Sequence, residues 1–350
     1  MFSGLPFGYM FLSVMGIGSL LSISSIHWLS IWAGLEINLI GFLPLLIYQK
    51  NISESESAVK YFIVQALGSS FLIFGSLMAF SSSFTWDLYT SFHFSALGFA
   101  VLSVGLCIKL GMFPFHYWLP GVMAGLSWFS CLLLATWQKL APLFLLLCLF
   151  ESNQSYMMIC MFCLVSAGSS LIGGFGGMNQ TQIRALLAYS SIGHLGWMVF
   201  ALLHSEWTMK MYFIIYVMIS LSMFVSLWFS DSSPMKNINN LKTSTMMQSS
   251  IMLLLLSLGG LPPLLGFISK LLVIIISTKG PWLLIVFMLI VGSLMSLFYY
   301  LSLFFSFFLN STKKHGLGYM SVNAIVIITI NVLNIGGGII ILMINLINSI

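Results

Sequence analysis

The chain has 350 residues, 59% hydrophobic and only 5% charged, with a mean hydropathy of +1.07 and a formal charge of +5. Soluble domains carry about 25% charged residues, so this composition excludes water as the main solvent. A transmembrane β-barrel is excluded too, because its strands alternate apolar and polar over segments of about ten residues, and the apolar runs here are longer and do not alternate. Backbone groups in lipid must be satisfied within the chain, which leaves helices. The expected fold class is all-α, a polytopic transmembrane helix bundle over a single integral membrane domain, 1–350.

A spanning helix needs roughly 20 apolar residues, and hydropathy places about eleven such spans along the chain. In order they are 8–25, 27–48, 58–80, 94–117, 124–149, 157–177, 184–203, 208–229, 250–276, 281–308 and 323–346. Only Ser25, Ile26 and His27 divide the first two. Lys50, Arg184, Lys236, Lys242, Lys313 and Lys314 collect on one face of this arrangement, against Lys210 and Lys279 on the other. Positive loops stay inside, so the N-terminus is expected inside and the C-terminus outside. No signal or transit peptide is visible at the start of the sequence.

The remaining composition is quiet. The lysines are dispersed, so no nucleic-acid partner is expected. Five cysteines, Cys107, Cys131, Cys148, Cys160 and Cys163, all fall in apolar runs. Cys160 and Cys163 form a CxxC without a second pair, which reads as buried small hydrophobes rather than a metal site. The glycines at 173, 174, 176 and 177 follow no strand and make no phosphate loop.

The informative residues are charges in the wrong solvent. Glu36 lies in IWAGLEINLIGFLPLL, Lys109 in VGLCIKLGMFPFHYWLP, Lys139 in LLLATWQKLAPLFLLL and Lys270 in GGLPPLLGFISKLLVIII. Each charge at a helix centre costs roughly 2.5–3.5 kcal/mol on insertion scales, so these side chains must face the bundle interior, water or one another. As ion-pair staples they are poorly matched, because one glutamate cannot neutralise three lysines. Low dielectric disfavours the charged form of a buried amine, so lysines joined by water suit a proton relay. Binding of a small anion is a weaker alternative. Lys60 starts a span and is either an interfacial anchor or a buried partner beside Glu36. His116 and His194 lie at membrane depth, where an imidazole suits proton relay or simply hydrogen-bonded packing. Asp87, Glu151 and Glu206 sit at span ends, where water can reach them.

Two lysines lie beside helix breakers. Lys109 precedes Gly111 and Pro114, and Lys270 follows Gly259, Gly260, Pro262 and Pro263. Proline removes a backbone donor, and irregular backbone at membrane depth survives only inside protein or against water. Broken helices at corresponding positions of two halves mark ion paths in transporters. Two inverted repeats are therefore expected, each with a broken helix: about 27–150 as the first, about 157–308 as the second, and 323–346 as a C-terminal span.

The stretches WAGLEINLIGFLPLL, VKYFIVQALGSS, KLGMFPFHYWLP, TWQKLAPL, NQTQIRALLAYSSIGHLGWM and GLPPLLGFISK occur in this order and together resemble the antiporter-like subunit 2 family of mitochondrial respiratory complex I, NADH dehydrogenase (ubiquinone). The resemblance runs from about residue 30 to 275; beyond that it is mainly one of hydropathy. It implies that Glu36 and Lys109 are the ionic pair of the first half-channel, that Lys139 is the central lysine, and that Lys270 serves the second half-channel. It implies proton translocation driven by quinone reduction elsewhere in the complex, in the mitochondrial inner membrane, with the N-terminus on the matrix side and the C-terminus on the intermembrane side. The length matches the shortened animal form. No cofactor is expected in this subunit; NAD, FMN, Fe–S clusters and ubiquinone belong to other subunits. The expected partners are the other membrane-arm subunits of complex I and the lipid bilayer, cardiolipin included. Two rival readings stand beside it, a stand-alone cation/proton antiporter and a structural membrane subunit without a conducting path.

Overall fold

The computed structural model describes residues 7–47, 51–87, 96–152, 155–229, 245–278, 280–312, 332 and 334–337. The expected spans map onto helices in order: α1 (Gly8–Ser24), α2 (Trp28–Ile47), α3 (Ile52–Ser83), α4 (Ala96–Leu110), with α5 (Trp118–Gly125) following just past the expected end at 117, and the pair α6 (Trp128–Ala135) and α7 (Trp137–Ser152). They continue as α8 (Tyr156–Met178), α9 (Ile183–His204), α10 (Glu206–Phe229), the pair α11 (Thr245–Gly259) and α12 (Leu265–Ser277), and α13 (Leu283–Thr312). Among the described residues, seven segments are long and apolar enough to cross a membrane, the α6–α7 pair counted as one of them. The polytopic all-α bundle is thus the fold. The span at 323–346, apart from the few residues named above, lies outside the described residues, as do Lys50, Lys236, Lys242, Lys279, Lys313 and Lys314.

The chain divides into two compact units, Met1–Phe162 and Cys163–Ile350. In the first, α1 and α2 pack backbone to backbone. A Cβ on Gly18 would stand 2.5 Å from the Asn38 nitrogen, and one on Gly34 2.6 Å from the Ser22 nitrogen. Small residues at such crossings let helices approach where no hydrophobic effect drives them together. The outward face of α3 carries Val59, Phe62, Ile63, Leu67, Phe74 and Leu77, all exposed, as lipid-facing residues should be. In the second unit α9 is buried along most of its length, and the buried serines of α8 and α9 return their hydroxyls to carbonyls three residues back, as Ser169 does to Ser166 and Ser190 to Leu187. Each of these hydroxyl protons is thus used within its own helix.

Three spans are interrupted. α4 ends at Gly111 (φ +72°) and α11 at Gly260 (φ +85°), in the left-handed region that glycine enters at low cost. The closing bonds correspond one to one. Gly111 N–H donates to Ile108 and Met112 N–H to Cys107; Gly260 N–H donates to Ser257 and Leu261 N–H to Leu256. This is the Schellman arrangement for ending a helix. A proline follows three residues after each glycine, and the Phe113–Pro114 and Pro262–Pro263 peptides are cis. The third interruption, at Thr136 between α6 and α7, was not expected from the sequence. The Thr136 hydroxyl donates back to Leu132 O at 2.7 Å, a bond that bends helices, and Pro142 in α7 brings no N–H for the carbonyl four residues earlier.

Candidate functional site

In the first unit, α2, α3, α4 and α7 converge on a small polar cavity. It is lined by Asn38, Tyr61, Gln65, Lys109, Gln138 and Lys139 among apolar neighbours that include Leu35, Trp118 and Pro142. It offers about 20 Å³ to the centre of a water molecule, more than the roughly 10–15 Å³ that one water needs. Lys109 closes one side. Its Nζ lies 3.7 Å from Glu36 Oε1, with the lysine side chain 4% exposed and the glutamate 25%. That distance is an ion pair without a hydrogen bond, and Glu36 Oε1 accepts no hydrogen bond from elsewhere. Lys139, one of the most deeply buried large side chains, lines the same cavity. Lys109 and Lys139 are thus brought to one cavity from separate spans, with Glu36 of a third span paired to Lys109.

Backbone groups freed by the break are taken up by neutral donors. Trp118 Nε1 donates to Ile108 O at 3.2 Å, and Gln65 Nε2 to Lys109 O at 3.3 Å. The Lys109 ammonium is therefore not needed as a cap. Asn38 and Gln138 bond each other twice, Asn38 Nδ2 to Gln138 Oε1 at 2.9 Å and Gln138 Nε2 to Asn38 Oδ1 at 3.2 Å. Tyr61 adds its hydroxyl to Gln138 Oε1 at 3.4 Å.

The second unit repeats the theme with other parts. Lys270, on α12, reaches back across the break and donates Nζ to Gly259 O at 2.8 Å, capping the end of α11. It lines a smaller cavity, about 10 Å³ on the same measure, with Ser190, His194, Ser296 and Tyr299. His194 Nδ1 is 2.9 Å from the Tyr212 hydroxyl, and its ring lies against Tyr216. Tyr299 and Tyr300 are buried side by side, with their ring centroids 4.6 Å apart.

Two weaker candidates are placed elsewhere. Lys60 is exposed and pairs with Glu56 one turn earlier on α3 at 2.6 Å, so it is not brought to Glu36. It borders a broad apolar groove with Ile63, Leu67, Pro114 and Tyr117. His116 lies in the segment that follows Pro114, with its Nδ1 3.2 Å from the Pro114 carbonyl, and it does not line the lysine cavity. At the span ends, Asp87 pairs with His27 and Glu206 with Lys210. The neutral partners Asn38, Tyr61, Gln65, Gln138 and Tyr212 were missed by a reading that weighed formal charges. A primary amide buried without a partner is also costly, and polar residues deep in spans are the signal that would have found them.

Comparison with known proteins identifies the family. The family described as NADH:quinone oxidoreductase/Mrp antiporter, transmembrane, matches residues 25–296. NADH-ubiquinone oxidoreductase chain 2 of Anopheles gambiae is 43% identical over 312 residues, 87% of each chain. That of Lumbricus terrestris is 38% identical over 297 residues, 84% of this chain and 85% of the relative. A chain in the structure of respiratory complex I from Thermus thermophilus with bound aureothin superposes with a TM-score of 0.81 at 26% identity, covering 95% of this chain and 77% of that one. With that match and those relatives, the chain belongs to the NADH:quinone oxidoreductase/Mrp antiporter family, among the NADH-ubiquinone oxidoreductase chain 2 proteins.

Proposed function

We infer that this chain is a proton-translocating, antiporter-like membrane-arm subunit of NADH:ubiquinone oxidoreductase, and that Glu36, Lys109 and Lys139 carry protons through its first half while Lys270 serves the second. The observation that carries the reading is the water-sized cavity bounded by two buried lysines, one of them paired with an acid. Two unit charges about 4 Å apart attract by roughly 4 kcal/mol at an effective dielectric of 20. Moving one charge through 100 mV costs about 2.3 kcal/mol. Making or breaking the Glu36–Lys109 pair therefore matches the scale of the work to be done. With the pair closed, Lys109 keeps its proton. With it open, the buried ammonium is stranded in low dielectric and its proton passes through the cavity towards Lys139. In the second unit the α11 terminus holds Lys270, and His194 beside it offers a neighbouring proton acceptor.

The two halves are read as half-channel repeats, each organised around its broken helix. The electron carriers, NAD, FMN, Fe–S clusters and ubiquinone, are assigned to other subunits, and the partners are the neighbouring membrane-arm subunits and the surrounding lipid, cardiolipin included. The membrane is the mitochondrial inner membrane, with the N-terminus in the matrix and the C-terminus in the intermembrane space.

The test is Lys109→Met in the assembled complex, reconstituted in vesicles, with NADH oxidation and proton uptake followed together. The reading expects normal assembly and lost proton transport; assembly with normal transport would overturn it. A stand-alone antiporter would instead exchange cations when the chain is reconstituted alone. A purely structural subunit would lose only complex yield when Glu36 or Lys139 is neutralised.

A further inference from the structure

We propose that the reciprocal amide pair Asn38–Gln138 is a positioning element for proton transfer between Lys109 and Lys139; the proposal rests on the lysine reading above and deepens it. The pair joins α2, which carries Glu36, to α7, which carries Lys139, at the wall of the cavity that both lysines line. Asn38 is buried at mid-span, where an apolar pair would be cheaper to insert. Packing alone therefore does not call for these residues.

The hydrogen-bond inventory says what the pair can do. A primary amide has two N–H donors and two acceptor sites on its oxygen. Each partner spends one N–H on the other, and Gln138 Oε1 takes the Asn38 amide and the Tyr61 hydroxyl together. One N–H on each amide and one acceptor site on Asn38 Oδ1 remain for a water in the cavity. Neither amide gains or loses a proton near neutral pH, so neither is itself a relay. They fix where a bridging water sits and how it points, while the charge change stays on the lysines. The bonds also set α2 against α7, so a movement of α2 that loosens Glu36 from Lys109 pulls on the residue next to Lys139. The interruption at Thr136 comes just before this point and turns Gln138 and Lys139 together onto the cavity.

The experiment uses the assembled complex carrying Asn38→Leu, Gln138→Leu, both together, and the exchanged pair Asn38→Gln with Gln138→Asn. Lys139→Met serves as the reference. Proton transport per NADH oxidised, its rate and its pH profile are read beside complex yield. Each single leucine variant should slow proton transport by roughly tenfold or more, as displaced reacting groups do, with yield unchanged. The double variant should be no slower than the worse single, and the exchanged pair should recover most of the rate. Assembled single variants with unaltered transport, or losses that multiply in the double variant, would overturn the proposal. Should the leucine variants fail to assemble, the near-isosteric Gln138→Glu decides: the proposal expects a displaced pH profile and is overturned by an unchanged one. If Lys139→Met itself transports normally, the lysine reading has failed. If Lys139→Met is inactive while Gln138→Leu is normal, only the amide proposal has.

Discussion

The breaks after α4 and after α11 close with the same backbone bonds, and each has a proline three residues on. They differ in what finishes them. In the first unit the freed carbonyls take neutral donors, the Trp118 indole and the Gln65 amide, and the lysine before the break is left to meet an acid. In the second the lysine comes after the break and is itself the cap, its ammonium on Gly259 O. A cation at a helix C-terminus gains about 0.3–1 kcal/mol, up to ~2 where partly buried. One structural device thus supports two kinds of lysine. The first is restrained by a side chain that can move away, the second by a backbone dipole that cannot.

The segment that follows each break gives the largest expected difference. A Cβ on Gly266 in α12 would stand 1.7 Å from the Ser257 carbonyl oxygen, whereas one on Gly121 in α5 would meet nothing within 4 Å. Ordinary overpacking costs about 1–3 kcal/mol, and a backbone atom cannot turn aside as a side chain can. Gly266→Ala should therefore abolish accumulation of the complex, and Gly121→Ala should leave it near normal, as native gels of solubilised membranes would report. Equal yields would mean that the second break is not held as tightly as its geometry implies.

Next in size is the contrast between the lysines. Lys270→Met removes the cap from Gly259 O, and an orphaned buried acceptor costs about 1–3 kcal/mol. Lys109→Met removes no backbone bond, and the Glu36 side chain it leaves is 25% exposed. Both should stop proton transport, but only Lys270→Met should clearly lower the thermal stability of the assembled complex. Equal stability losses would erase the distinction drawn between the two restraints. Trp118→Phe should act more gently, keeping the ring and leaving Ile108 O with only the Gly111 N–H, with a stability loss at or below the lower end of that range and slowed transport.

The sequence carried the large features well, for physical reasons. Lipid makes hydropathy a strong signal, so the first ten expected spans each overlap a helix or a broken pair, although α5 starts just past the expected end of the fourth. Glycine and proline mark the two major breaks because few other residues tolerate those backbones. Buried charge marked Glu36, Lys109, Lys139 and Lys270 because each is too costly to be incidental. What escaped was neutral or tertiary. The interruption at Thr136 has no glycine or proline of its own, and the pairing of Asn38 with Gln138, a hundred positions away, is set by how α2 and α7 pack. Lys60 was ambiguous because an anchor and a buried partner look alike in a span's first turns; its ion pair with Glu56 is local, one turn away.

The smallest predicted effect contrasts two lysine–glutamate pairs of the first unit. The Lys60 and Glu56 side chains are 53% and 64% exposed, where Lys109 is 4% exposed. Exposed pairs one turn apart add little to stability and are screened by salt. Lys60→Gln should therefore change the denaturation midpoint barely, less still at high ionic strength, and leave proton transport at the wild-type rate. Transport measured in the same vesicles as Lys109→Met decides the matter, because burial is what separates the two lysines. If Lys60→Gln lost transport as steeply as Lys109→Met, the groove beside Lys60 would have to be covered in the assembled complex, and the path would reach further along α3 than the cavity does.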